Sequence, residues 1–65
     1  MRAFRPDKLR ERRVKIRMTQ GQLACKAGAT RTYINEIEKG KKTPGANLLS
    51  KLAVALKVSE GYFFA

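Results

Sequence analysis

The stretch of residues 19–40, TQGQLACKAGATRTYINEIEKG, constrains the fold of this 65-residue chain more than any other part. Thr19 predicts the start of a helix, because its hydroxyl can accept a hydrogen bond from a free backbone N–H of the first turn. Gly28 predicts the end of that helix, because glycine readily adopts the left-handed conformation that closes one. Thr30 is the next candidate N-cap, only two residues later. The stretch therefore predicts two short helices joined by a tight turn.

The second helix of this pair is predicted to span about residues 31–39 and to be polar on its outer face. Ile34 and Ile37 lie three residues apart on one side, which predicts their burial. The opposite face carries Arg31, Thr32, Asn35 and Glu36. Lys39 and Gly40 are residue types favoured at a helix C-terminus. Two crossed helices with this turn are typical of a helix-turn-helix, which inserts its second helix into the major groove of DNA.

The charge balance favours the same kind of partner. Fifteen Lys and Arg residues against five Asp and Glu residues give a net charge of +10, and such a field favours polyanions such as nucleic acid. A membrane is the weaker alternative, because no apolar run approaches the ~20 residues that a spanning helix requires. The N-terminus, MRAFRPDK, has no apolar segment of the kind found in signal peptides. We therefore expect a single cytoplasmic domain, residues 1–65.

The sequence offers few groups for metal binding or catalysis. It has one cysteine, Cys25, and no histidine, so an internal disulfide and the usual zinc ligand sets are excluded. The usual combinations of acid, base and nucleophile are missing as well. We expect no metal, no cofactor and no enzymatic activity. Cys25 is interpreted as a half-buried small residue on the outer side of its helix.

A helix over about residues 7–16 is predicted ahead of this pair. It follows a basic arm, residues 1–6, whose last residue Pro6 suits the first position of a helix. Its core-facing residues are Leu9, Arg13 and Ile16. Its basic residues Arg10, Arg12, Lys15 and Arg17 form either a solvated surface or phosphate contacts, and the sequence leaves both open. Arg13 requires a carboxylate partner, because an unpaired charge at a core position is very costly.

Two more helices are predicted after residue 40, which completes an all-α fold of five short helices. One spans about residues 46–56 and buries Leu48, Leu49, Leu52, Ala53 and Leu56. The last spans residues 60–64, with Ser59 as its N-cap. Its aromatic residues are Tyr62, Phe63 and Phe64. Because three aromatic side chains exceed what so small a core needs, we expect some of them to lie at a dimer interface.

The whole pattern resembles the phage repressor and Cro type (XRE family) of helix-turn-helix regulators, over roughly residues 9–64. The matching residues, in order, are Leu9, Arg13, Thr19, Gln20, Leu23, Ala24, Gly28, Ile34, Ile37, Glu38, Gly40, Pro44, Leu52, Ala53, Leu56, Val58 and Ser59. Each is weak evidence alone, but their order and spacing together are highly specific. The resemblance implies a compact, lambda-repressor-like DNA-binding domain.

The resemblance also implies roles for particular residues. Those expected to contact base edges are Arg31, Thr32, Asn35 and Glu36. Those expected at DNA phosphates are Thr19, Gln20, Tyr33, Lys39, Lys41 and Lys42. Gln20 is also expected to brace the recognition helix, and Tyr33 and Asn35 lie where either base or phosphate is within reach. Arg13 and Glu38 match a partly buried salt bridge of such repressors.

The chain departs from the family pattern at two positions. Relatives usually carry glycine where Arg17 stands, so the bend after the first helix requires either a strained residue or a different turn. A helix-forming residue is usual at Gly21, and glycine there weakens the helix by up to ~1 kcal/mol. Gly21 either exposes the backbone to a DNA phosphate or is simply a tolerated small residue.

The leading hypothesis is a sequence-specific transcriptional regulator of the repressor or controller type, binding double-stranded DNA as a homodimer at a palindromic operator. An antitoxin or protein-interaction module on the same fold is the alternative. Coating of nucleic acid driven by charge alone is a third possibility. The polar outer face of the predicted recognition helix favours sequence-specific DNA binding.

Overall fold

The computed structural model describes residues 3–64, which form four α-helices and a final 3-10 turn. The elements are α1 (Pro6–Lys15), α2 (Gln20–Ala27), α3 (Arg31–Glu38), α4 (Ala46–Leu56) and the 3-10 turn (Glu60–Phe63). Residues 3–64 contain no strand, apart from an isolated antiparallel bridge between Phe4 and Phe64. Part of the predicted arm, residues 1 and 2, lies outside the described residues. None of the described helices is long and apolar enough to cross a membrane.

The predicted fifth helix is wrong, because the segment after residue 59 makes only a single 3-10 turn. The backbone N–H of Tyr62 donates to the carbonyl of Ser59, and that of Phe64 donates to the carbonyl of Gly61. Each of these hydrogen bonds joins residues three positions apart, as in a 3-10 helix, which suits a segment too short for an α-helix. The side chain of Ser59 forms no capping hydrogen bond. The all-α class is confirmed with four α-helices instead of five.

The α2–α3 pair begins and ends where the local chemistry predicts. Thr19 Oγ1 accepts from the N–H of Gln22 at 3.0 Å, and Gln22 Oε1 accepts from the N–H of Thr19 at 2.9 Å, which is a capping box. Gly28 closes α2 with a φ of 70°. Thr30 Oγ1 accepts from the N–H of Tyr33 at 3.0 Å and so caps α3. Each of the two helices therefore has one free backbone N–H of its first turn satisfied by its capping threonine.

The core lies between α2, α3 and α4, with α1 and the 3-10 turn packed across it. The buried apolar residues are Leu9, Leu23, Ala24, Ala27, Ile34, Ile37, Leu49, Leu52, Ala53, Leu56 and Phe63. Leu48, predicted to be buried, is only partly buried. Phe63 is fully buried within its own chain, so its assignment to a dimer interface is wrong. Tyr62 and Phe64 remain partly exposed.

Two basic residues of α1 have specific structural partners. Arg12, predicted to be one of the solvated or phosphate-binding residues, is partly buried, and its Nε donates to the carbonyl of Leu56 at 2.9 Å. A cation at this position stabilises the C-terminal end of α4, where carbonyl groups lack helical partners. Arg5 ion-pairs with Asp7 at the exposed start of α1, at 2.9 Å. This hydrogen bond lowers the pKa of Asp7 below its ordinary value.

The bend after α1 is made by a residue in a strained conformation. Arg17 has a φ of 59°, in the left-handed region that non-glycine residues adopt at a cost of roughly 1–2 kcal/mol. Its side chain is exposed, so a glycine there removes little packing. The first of the two alternatives left open by the sequence, a strained residue, is therefore the one that the structure shows.

Arg17→Gly is expected to raise the free energy of unfolding by up to ~1 kcal/mol, because the relieved strain exceeds the roughly 0.5–1 kcal/mol that glycine costs through unfolded-chain entropy. The measurement is urea unfolding followed by circular dichroism. Lys26→Gly is the matched control, because Lys26 is an exposed cation inside α2. This control should destabilise by about 1 kcal/mol. Equal destabilisation by the two glycines would contradict the strain at Arg17.

Candidate nucleic-acid interface

A partly buried ion pair joins α1 to α3. Arg13 Nε lies 2.6 Å from Glu38 Oε2, and Arg13 Nη2 lies 3.1 Å from Glu38 Oε1. The remaining arm of the guanidinium, Nη1, donates to the carbonyl of Met18 at 2.8 Å. The two side chains are 12% and 4% exposed. This two-point contact fixes α3 against α1 because it constrains both distance and orientation.

Gln20, the first residue of α2, is bonded to two residues of α3. Its Nε2 donates to Glu38 Oε1 at 3.0 Å and to Asn35 Oδ1 at 3.3 Å. We call the connected side chains of Arg13, Glu38, Gln20 and Asn35 the polar network. No buried side-chain nitrogen or oxygen in the described part of the chain lacks a hydrogen-bond partner. The polar network therefore ties three helices together without a buried unsatisfied atom.

The polar side chains on the outer face of α3 are exposed to different degrees. Arg31 and Thr32 are exposed, whereas Asn35 and Glu36 are partly buried. A small open hollow is lined by Gln20, Arg31, Thr32 and Asn35. The structure thus brings three of the four predicted base-contacting residues together around one depression. Glu36 is not among the residues that line it.

The residues predicted at phosphates lie around this face at different places. Thr19 and Gln20 begin α2, while Lys39, Lys41 and Lys42 are exposed beyond the end of α3. Tyr33 packs against the core and lines a separate hollow with Leu48 and Asn47. It therefore lies away from the depression that contains Arg31.

Arg17, which the sequence left open as either a solvated residue or a phosphate contact, is a further site candidate. It lines an open hollow together with Arg13, Thr19, Gln20, Gly21 and Arg31. This hollow includes the first residues of α2, where free backbone N–H groups already favour anions. The sequence indicates this candidate by placing a basic residue in the bend after α1, where relatives usually carry glycine.

Cys25 differs from its expected environment. It was predicted to be half-buried, but the residue is exposed. The core-facing side of α2 is formed by Leu23, Ala24 and Ala27, and position 25 falls outside that side. Cys25 therefore contributes neither to the core nor to the hollows around α3 that are lined by the predicted contact residues.

Comparison with known proteins places this geometry among related chains. A family model described as "Helix-turn-helix" matches residues 9–63. Two uncharacterized HTH-type transcriptional regulators from two strains of Mycobacterium tuberculosis are each 35% identical over 51 residues. The match covers 78% of this chain and 36% of each relative, so the chain spans little more than a third of their length.

Solved structures with the same arrangement include two regulators. The restriction-modification controller protein C.AhdI from Aeromonas hydrophila is 30% identical with a TM-score of 0.87, covering 91% of this chain and 89% of that one. The P22 c2 repressor, crystallised in complex with a synthetic operator, is 26% identical with a TM-score of 0.88, covering 94% and 92%. The similarity thus extends over nearly the whole of both solved chains.

Proposed function

Because the chain belongs to the helix-turn-helix family of the phage repressor and Cro (XRE) type, we propose that it is a transcriptional regulator that binds double-stranded DNA sequence-specifically. The observation that carries this proposal is the outer face of α3, where Arg31 and Thr32 are exposed beside Asn35. α3 enters the major groove, and these residues with Glu36 contact base edges. The P22 c2 repressor, which has the same fold, was crystallised with an operator.

Contacts to the DNA backbone set the position of α3 in the groove. We assign them to Thr19, Tyr33, Lys39, Lys41 and Lys42, and to Gln20 through its backbone N–H at the start of α2. The start of α2 offers backbone N–H groups to one phosphate, and Gly21 leaves that backbone uncovered, with only Thr19 Oγ1 within 4 Å of where a Cβ would stand. The lysines beyond α3 supply long-range attraction, and the net charge of +10 supports it.

Selection of binding sites from random duplex DNA tests this proposal. The expected result is enrichment of one short sequence pattern, because direct contacts from α3 distinguish base pairs in the major groove. Affinity for the enriched duplex and for a scrambled one is then measured over a range of salt concentrations. Tight binding with a steep salt dependence and no enrichment would contradict the proposal, because charge alone would then account for binding.

We expect the protein to bind as a two-fold dimer to an inverted repeat, because one recognition helix contacts only a few base pairs and symmetric proteins occupy symmetric sites. The half-site centres should lie about 34 Å apart. Tyr62 and Phe64 are partly exposed and remain the candidate interface residues. Sedimentation on a half site and on a full site measures the stoichiometry. One chain on the full site, with no gain in affinity, would contradict the dimer.

A further inference from the structure

The hydrogen bonds of the polar network have only one possible direction. The guanidinium of Arg13 has donors alone, so the carboxylate of Glu38 accepts from it. Because a carboxylate has no donor, Gln20 must turn its amide nitrogen, rather than its oxygen, towards Glu38, and that distance is 3.0 Å. The second hydrogen of the same nitrogen is directed to Asn35 Oδ1 at 3.3 Å. The carboxylate of Glu38 therefore determines, through Gln20, which way the amide of Asn35 points.

This direction leaves Asn35 with donors for a ligand. Its Oδ1 accepts from Gln20 and is therefore directed at α2. Nδ2, on the other branch of the amide, is the group left for a ligand in the hollow that Asn35 shares with Arg31 and Thr32. Arg31 also has only donors, and the hydroxyl of Thr32 can donate. The hollow is thus rich in donors, and a complementary ligand must present acceptors.

Resting on the proposed function, we propose that Asn35 is a specificity-determining residue that recognises a keto group on a base edge in the major groove, with Gln20 as its positioning residue. Guanine presents O6 and N7, and thymine presents O4, all of them acceptors. Cytosine presents only an amino group, N4, and adenine presents the amino group N6 beside its N7 acceptor. A side chain that faces the groove with its amide nitrogen cannot pair with either amino group. The usual two-point contact of asparagine with adenine requires Oδ1 and Nδ2 to face the base together, and here Oδ1 is directed at Gln20.

The same hydrogen bonds keep the side chain of Gln20 from binding a DNA phosphate, which is the role that the family resemblance implies. Both hydrogens of its amide nitrogen are bonded within the polar network. The remaining polar atom, Oε1, is an acceptor and cannot bond a phosphate oxygen. The side chain of Gln20 therefore orients Asn35, and phosphate contact at the start of α2 is left to backbone N–H groups.

Asn35→Asp tests the direction of the contact. One carboxylate oxygen keeps the hydrogen bond from Gln20, and the other presents an acceptor to the groove in place of a donor. Affinities are measured for the full chain on the selected duplex and on duplexes that carry each of the four bases at every position of a half site. We expect the preference at one position to change from guanine or thymine to cytosine or adenine, with about a tenfold change in the affinity ratio.

Asn47→Asp is the matched control, because it makes the same chemical change at an exposed residue in the first turn of α4, outside the polar network. It should weaken binding to all duplexes by a similar factor and leave the base preference unchanged. If Asn35→Asp behaves in the same way, Asn35 contacts a phosphate or nothing, and the inference is overturned.

Gln20→Met tests the positioning role, because methionine has a similar length and no donor. The freed amide of Asn35 can then turn, so discrimination against adenine at the same base position should fall about tenfold, while average affinity changes little. Uniform weakening with the preference intact would show instead that Gln20 bonds a phosphate, and would overturn the inference.

In the free wild-type chain, the side-chain amide protons of Gln20 should exchange with solvent more slowly than those of Asn35.

The wild-type chain separates failure of this inference from failure of the proposed function. Absence of any sequence preference in the wild type would overturn the proposed function, and with it the recognition by Asn35. A clear wild-type preference that neither Asn35→Asp nor Gln20→Met changes at any base position would overturn the inference alone.

Discussion

Replacing either Arg13 or Glu38 by alanine is expected to lower the free energy of unfolding by about 3 kcal/mol, because each change leaves the partner as an unpaired charge out of water. Both side chains are almost inaccessible, at 12% and 4% exposed. Glu38 also accepts from Gln20, so its removal leaves a further donor without its partner. The double variant, in which no lone charge remains, should be destabilised by less than the sum of the two single variants.

A double-mutant cycle on thermal and urea unfolding measures this coupling. The exposed pair Arg5 and Asp7 is the matched control within the same chain, with side chains 45% and 51% exposed. Its coupling should be far smaller, because solvent screens exposed charges. Folding lowers the pKa of Asp7. The stability that the Arg5–Asp7 pair contributes is therefore present above the ordinary aspartate pKa and is lost on acidification. A coupling near zero for Arg13 and Glu38 would contradict the buried pair.

The parts of the fold that the sequence predicted correctly are those decided by local chemistry. Thr19, Gly28 and Thr30 act on backbone groups within three or four residues, so their roles do not depend on the rest of the molecule. The burial of Ile34 and Ile37 follows in the same way from helical periodicity. Arg17 was restricted to two alternatives by the resemblance, and the structure has the strained one.

The predictions that failed depend on where distant segments meet. Arg12 looked solvated because the sequence does not show that the carbonyl of Leu56, 44 residues away, lies beside it. Phe63 was placed at a dimer interface because the sequence does not show the space that it fills beneath α1. That space is closed partly by Phe4, whose ring centre lies 5.9 Å from that of Phe63. Long-range packing of this kind leaves no periodic pattern in the sequence.

The candidate site likewise has one part that the sequence predicted and one part that it did not. Helical spacing places Arg31, Thr32, Asn35 and Glu36 on the outer face of α3, so the composition of that face was predictable. The contact between Gln20 and Asn35 joins two helices at a separation of 15 residues. No spacing rule predicts it, because it depends on how closely α2 and α3 approach. The direction of the Asn35 amide is consequently a property of the folded structure alone.

Arg31→Ala is expected to weaken binding to the preferred duplex by ~1–3 kcal/mol and to relax the choice at one base position. Arg31 is exposed at the start of α3, and its guanidinium fits the O6 and N7 acceptors of guanine at two points. Binding to a scrambled duplex should change much less. Arg31→Lys keeps the charge but loses the planar fork, so it should retain nonspecific affinity while the preference falls.

Lys42→Ala is the charge-matched control for Arg31→Ala, because both variants remove one positive charge from an exposed side chain. Lys42 is exposed beyond the end of α3 and should contact only phosphate. Its loss should therefore weaken all duplexes alike and flatten the dependence of log affinity on log salt by about one unit. Affinity is measured against salt for each variant on the preferred and scrambled duplexes. If Arg31→Ala weakened both duplexes equally with the preference intact, Arg31 would be a phosphate contact, and base recognition would rest with Thr32, Asn35 and Glu36.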